Sequence, residues 1–241
     1  MSARSASNCP FPKSDDAEQG QWTVRLQPPV IADVIFTSDN GGMLNQGGQD
    51  AWKAGHHMNG DLFGFKFDAW EGGHRIPFIA RWPGNIEPGT RSDQLICIVD
   101  MLASFASLLG QELPENAGPD SIDVLEALFS EPKESLRENL ILAPRTRTHL
   151  GIRSGDWMYI PEQGGGGFTA ENLGDHAFGG PAATAFTGRP NSDIEAGKLK
   201  NAAPPAQLYN LKDDPYQTTN LHDQLPETVQ ELQHLLTKET A

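Results

Sequence analysis

Val34-Ile35-Phe36 is a run of consecutive apolar, β-prone residues, cut off at once by Thr-Ser-Asp-Asn-Gly-Gly ending at Gly42. An unbroken run of this kind suits a strand buried on both faces of a sheet. Asn-Gly is also a strong hairpin signal, asking only for tolerance of positive φ. A hairpin needs a return strand, and the residues after Gly42, MLNQGGQDAWKAGHHMNG, are polar and glycine-rich without alternation. The hairpin is therefore the weaker alternative. In open parallel sheets the loops beyond the strands' carboxyl ends bind ligands. There Asp39 and Asn40 would offer a carboxylate and an amide carbonyl, hard oxygens of the kind calcium or magnesium takes.

A second apolar run, Ile76 to Trp82, reads as another strand that stops at the turn-rich PGNIEPG. From Ser92 the spacing changes. Leu95, Val99, Leu102 and Leu109, with Ile96, Ile98, Phe105 and Leu108, recur at helical intervals, predicting a mostly buried helix. Ser92 or Asp93 would be its N-cap, and Gly110 lies past its end. Strand, loop, strand and helix in this order fit an α/β layer architecture.

After a short helical pattern at Ile122 to Phe129, the segments LILAP, HLGIRS, WMYIP and QLYNL predict a small antiparallel sheet. A glycine-rich insertion, residues 164–190, separates the last two and is too long for an ordinary connector. Asp213-Asp214-Pro215 reads as a turn stabilised by its acids. Pro226 then opens a helix with Val229, Leu232, Leu235 and Leu236 on one face. The organisation expected is a disordered or non-native leader over 1–29, an α/β portion over 30–135 and a small α+β subdomain over 136–241.

The chain holds 18 Lys and Arg against 32 Asp and Glu, a formal charge of -14. That balance disfavours nucleic acid and anionic lipid as partners. No apolar stretch approaches the length of a membrane span. The opening MSARSASNCPFPK lacks the apolar centre of a secretory signal, so localisation is left open. Cys9 and Cys97 are the only cysteines and do not indicate a disulfide framework; Cys97 reads as a small buried hydrophobe.

Taken together, VIFTSDNGG, NGDLFGFK, KFDAWEGGHRIPFIARWPG, VDMLASFASLLG, RSGDWMYI and LYNLKDDPYQTTNL resemble, in order, the later half of a sulfatase of the arylsulfatase type. The resemblance runs from about Val34 to the C-terminus. It implies part of an alkaline-phosphatase-like fold: a mixed or parallel sheet flanked by helices, then a small antiparallel sheet with a terminal helix. It further implies hydrolysis of sulfate esters, of a small molecule or a glycan, at a divalent cation, usually calcium with magnesium as the alternative. Asp39 and Asn40 would hold that cation, and Lys66 would touch the sulfate and the bridging oxygen. Without the surrounding pattern, Lys66 would be an ordinary surface lysine.

His56 and Asn59 lie in the segment that would line the same mouth and are assigned substrate contact. His56, His57 and His74 have an equally good alternative, bonding nearby backbone. Glu71, Gly72, Gly73 and Arg75 read as scaffolding, the glycines for unusual dihedrals and the acid and base to hold the turn.

The sequence departs from the family in one decisive way. A sulfatase needs C/S-x-P-x-R, whose first residue is matured to formylglycine, the nucleophile. Cys9 has Phe11 where the proline belongs, Cys97 is followed by Ile-Val-Asp-Met, and Ser130 has Pro132 but Glu134 in place of arginine. The early strand with paired aspartates is also absent. The expectation is therefore a fragment that does not hydrolyse sulfate esters by itself. A non-catalytic module for sulfated glycans or a protein partner is the alternative, and a phosphoesterase ranks last. Complete members of the family are often periplasmic or secreted. Half of a sheet would expose an apolar edge, from which dimerisation is expected.

Overall fold

The computed structural model describes residues 33–45, 47–114, 116–167 and 179–241. The leader at 1–29, with Cys9, and the middle of the glycine-rich insertion lie outside the described residues. No described helix is long and apolar enough to cross a membrane.

The C-terminal sheet is ordered β3-β4-β5-β8, formed by Asn139–Leu142, Gly151–Ser154, Trp157–Ile160 and Gln207–Asn210, and between β5 and β8 a separate two-stranded ladder pairs β6, Ile194–Glu195, with β7, Lys198–Leu199. Every pairing is antiparallel, with Ile152 opposite Tyr159 and Tyr159 opposite Leu208. Strands β3, β4, β5 and β8 are the four expected from the sequence. Alternation sends successive side chains to opposite faces, and both faces are covered. On one, Ile152, Tyr159 and Leu208 pack against Val229, Leu232 and Leu236 of helix α6, Pro226–Glu239. On the other, Met158, Ile160 and Tyr209 pack against Phe63, Ala69 and Trp70. Those last residues belong to the segment that carries Lys66, so the sheet is the platform on which that segment rests. In the turn after β8, the Asp214 carboxylate accepts the Thr219 N–H at 2.9 Å, as its acidic sequence predicts.

Strands β1, Val34–Thr37, and β2, Phe78–Arg81, pair antiparallel, from Val34 opposite Arg81 to Thr37 opposite Phe78. The long segment between them contains the short helices α1, Gly48–Lys53, and α2, Glu71–His74, so no tight hairpin forms. The α/β architecture expected from the sequence is present, and among the described residues β1 and β2 form its two-stranded antiparallel ladder. Burial on both faces of that ladder was expected, and this is corrected: Phe36 and its cross-strand neighbour Ile79 are 62% and 60% exposed, because no described element packs on their face.

The helix predicted from Ser92 begins later. Residues 91–97 are irregular, a single 3-10 turn covers Ile98–Asp100, and helix α3 covers only Met101–Leu108. Asp100 explains the delay. Its carboxylate accepts the Cys97 N–H at 2.7 Å and the Ile122 N–H at 3.2 Å, and it pairs with Arg137. A buried acid that satisfies free N–H groups sets the helix start there rather than at Ser92. Leu102, Phe105 and Leu109 are exposed rather than buried, and Cys97 is only half-buried. Gly110 does end the helix, at φ 63, while Gln111 N–H reaches back to Ala106 O at 2.8 Å. Helix α4, Leu125–Phe129, packs beside α3. A cavity of about 720 Å³ opens between β2, Leu95–Cys97 and α4; none of Asp39, Asn40, His56, Asn59 or Lys66 lines it.

Candidate active site

The SDNGG turn after β1 and the EGG turn of α2 are distant in sequence and interlocked in space. Gly41 N–H donates to Gly73 O at 3.0 Å. A Cβ on Gly41 would lie 1.8 Å from Gly72 O, and one on Gly72 would lie 2.2 Å from Gly64 O. Neither glycine has positive φ. The EGG glycines thus serve by lacking a side chain where backbones touch, which corrects the expectation of unusual dihedrals. Glu71 is fully buried; Arg75 Nη1 donates to its Oε2 at 3.3 Å, and Arg153 lies 3.8 Å from the same oxygen. This is the scaffold role assigned to the acid and base.

The same interlock sets Lys66 beside Asp39. Lys66 N–H donates to Gly42 O at 2.9 Å. Asn59 clamps both strands of this junction: its Oδ1 accepts the Gly42 N–H at 2.5 Å and its Nδ2 donates to Gly64 O at 3.0 Å. Its amide thus holds the loops. His56 is exposed and its backbone N–H caps the end of α1 through Ala51 O. His74 bonds the backbone through Ala69 O at 3.0 Å, the alternative weighed for it.

Asn40 Nδ2 donates to Asp39 Oδ1. That contact first, then nearby backbone N–H groups and the Lys66 ammonium, hold the Asp39 carboxyl below its usual range against the opposing effect of desolvation. Asp39 is exposed at the mouth. The Asn40 Oδ1 is buried and has no hydrogen-bond partner. An orphaned buried oxygen carries a desolvation cost unless something binds it. The Lys66 ammonium stands 5.3 Å from the centroid of the Phe67 ring. Phe67 itself holds φ 84, a conformation that costs a non-glycine residue roughly 1–3 kcal/mol and that clusters at functional sites.

Sequence reasoning missed Asp68. Its carboxylate is buried, accepts the Phe65 N–H at 2.9 Å, and takes the Gly180 N–H at 3.0 and 3.1 Å on its two oxygens. Gly165, Gly167 and Gly179 crowd it so closely that a Cβ on any of them would meet Asp68 within 2.7 Å. The glycine-rich insertion is therefore glycine-rich where it closes over one acid, and it leads into helix α5, Gly180–Thr187. Burial, only partly offset by the Phe65 and Gly180 N–H groups, pushes the Asp68 carboxyl up to about 7. The signal was available: a lone acid inside the apolar FKFDAW segment is one that needs buried partners.

The sulfatase family model matches residues 32–111, the span that contains Asp39, Asn40 and Lys66. Residues 32–111 belong to the sulfatase family. An N-acetylgalactosamine-6-O-sulfatase of Bacteroides thetaiotaomicron is 36% identical over 206 residues, covering 84% of this chain and 35% of that protein. An N-acetylgalactosamine-6-sulfatase of Sus scrofa is 31% identical over 162 residues, covering 59% of this chain and 29% of that protein. A solved structure from Bacteroides thetaiotaomicron, described under metabolism of multiple glycosaminoglycans, superposes with TM-score 0.64 at 32% identity, over 86% of this chain and 38% of that one. The chain thus spans about a third of the length of the relatives it matches, and it covers their C-terminal part.

The cation implied by the resemblance to sulfatases can be tested against these residues. Asp39 supplies a carboxylate kept ionised, and Asn40 supplies a buried oxygen lacking a partner. Both are hard oxygen donors, so the pair fits calcium or magnesium. Calcium takes roughly 6–8 oxygens, and among the described residues no cluster of three His, Cys, Asp or Glu side chains gathers to supply more.

Proposed function

We propose that this chain carries part of the sulfate-ester grip of a sulfatase that acts on sulfated saccharides. Asp39 and Asn40 are the portion of a cation site found here, and Lys66 faces the ester. When bound, the cation would oppose negative charge on the sulfate oxygens. The Lys66 ammonium would oppose charge gathering on the sulfate and on the bridging oxygen as the S–O bond lengthens. Asn59 fixes the loop that aims it, and His56 stands at the mouth to meet the substrate. The observation that carries this reading is the junction at Gly42, where one backbone hydrogen bond of 2.9 Å joins the SDNGG turn to Lys66, beside the orphaned Asn40 Oδ1. A saccharide ester is the preferred substrate because the N-acetylgalactosamine-6-O-sulfatase relative matches along most of this chain.

The 241 residues contain no C/S-x-P-x-R, so this chain binds without turnover. That same absence favours the second reading, a module for recognising sulfated glycans. The test is to incubate the purified chain with calcium and an aryl or N-acetylgalactosamine 6-sulfate ester and to follow sulfate release. No release is the expected result, and turnover would overturn the statement. Ligand affinity that survives Lys66→Ala would favour the binding module over a sulfatase grip.

A further inference from the structure

In the segment between the SDNGG turn and Lys66 lies a pair of rings that the sulfate grip does not use. His57 and Trp52 stack with ring centroids 4.0 Å apart and planes 13° from parallel. The Trp52 indole is packed on the small core of Leu44, Phe65 and Ala183, and the Phe65 ring meets it edge-on at 6.2 Å. Phe65 directly precedes Lys66, so the stack packs on the residue next to the lysine in the chain. Arg189 braces it from the far end of α5. Its guanidinium sits 5.5 Å from the Trp52 ring centroid, donates to Asp61 O at 2.7 Å and Gly60 O at 2.6 Å, and pairs with the Asp61 carboxylate at 2.7 Å. With Trp52 behind it, the exposed His57 ring is a flat surface held in place and turned to solvent.

The His57 ring gives one face to Trp52 while the residue stays exposed to solvent. That ring offers a negative π face to polarised C–H bonds, and the face of a pyranose is a sheet of such bonds. Its polar surroundings, His56 and Asp61, suit the hydroxyls at the rim of a sugar. We infer that the His57–Trp52 stack is a saccharide subsite, seating the sugar ring whose sulfate Lys66 meets. The inference rests on the proposed sulfate-ester grip, and His57 and Trp52 position the substrate without touching the reacting atoms. Because the indole backs the imidazole, His57 is the contact and Trp52 its support.

The test titrates the 241-residue chain, with calcium, against N-acetylgalactosamine 6-sulfate, unsulfated N-acetylgalactosamine and inorganic sulfate. Calorimetry gives affinity, and saturation transfer from protein to sugar protons reports which face of the ring is in contact. His57→Ala should weaken the sulfated sugar by about tenfold, the upper end for one ring contact, and leave inorganic sulfate unchanged. His57→Phe should restore the affinity, which a merely structural loss would not. Equal binding of the sulfated sugar by the wild type and His57→Ala, with Lys66→Ala alone abolishing it, overturns the subsite and leaves the sulfate grip standing. Sulfated and unsulfated sugar binding equally, both lost in His57→Ala, upholds the subsite and removes the grip. No binding of either sugar overturns the subsite.

Discussion

Two of the sheets among the described residues are built from apolar strands and end in different states. The four-stranded sheet of β3, β4, β5 and β8 is covered on both faces, by α6 on one side and by the Phe63–Trp70 segment on the other. The β1–β2 ladder leaves Phe36 and Ile79 open, and Leu109, at the C-cap of α3, is 71% exposed. Apolar pattern states which face seeks cover; only a partner in the structure supplies it. In the C-terminal region both partners are within the described residues. Around β1 and α3 they are not.

The sharpest way to break this comparison is to remove packing from one region and then the other. Trp70 is fully buried and its Nε1 donates to Gln207 Oε1 at 2.9 Å. Trp70→Ala should cost about 3–5 kcal/mol of stability by chemical denaturation, the range for large buried aromatics. Leu232→Ala, on the α6 side, should cost about 2–5 kcal/mol. An unchanged denaturation midpoint in both would mean that the covered sheet is not the stable unit.

A pH series probes the seam between the regions. Asp68 has its folded pKa raised to about 7 from an ordinary 3.8. The folded state therefore holds a proton that the unfolded state has lost, so this group's contribution falls as pH rises from about 4 to about 7, then levels off. Stability of the wild type should decline across that window by a few kcal/mol, and Asp68→Asn should flatten the decline. A wild-type profile that rises through the window contradicts the burial of the Asp68 carboxylate.

The smallest effects belong to the open side. Leu102→Ala should shift stability by less than about 0.5 kcal/mol. Phe36→Ser should cost similarly little while reducing self-association in sedimentation, because an open apolar face and edge invite a second chain. A loss as large as that of Trp70→Ala would show that α3 and β1 are covered in solution.

The same comparison explains what was legible in the sequence. LILAP, HLGIRS, WMYIP and QLYNL are short β-prone runs, and each contains a strand, because local pattern and tertiary cover agree there. Pro226 and the Val229, Leu232, Leu236 spacing located α6 for the same reason. The stretch from Leu95 to Ile98 has helical apolar spacing, but Asp100 takes the Cys97 N–H and starts the helix late. Periodicity cannot show that a side chain will occupy a backbone group. At the site, SDNGG and K-x4-EGG were visible as motifs. The reason for their glycines was not, because the contact of Gly41 with Gly72 O joins residues 31 positions apart. Asp68 and the His57–Trp52 stack depend on contacts with Gly180 and Arg189 across the insertion, which no local window contains.

The central claim is that Asp39, Asn40 and Lys66 grip one anionic ester together. The direct measurement is calorimetric affinity for a sulfated sugar with and without calcium, in the wild type, Asn40→Ala and Lys66→Ala. Calcium should strengthen binding in the wild type, lose that effect in Asn40→Ala, and leave only weak binding in Lys66→Ala. Affinity that ignores calcium and both substitutions would contradict the account.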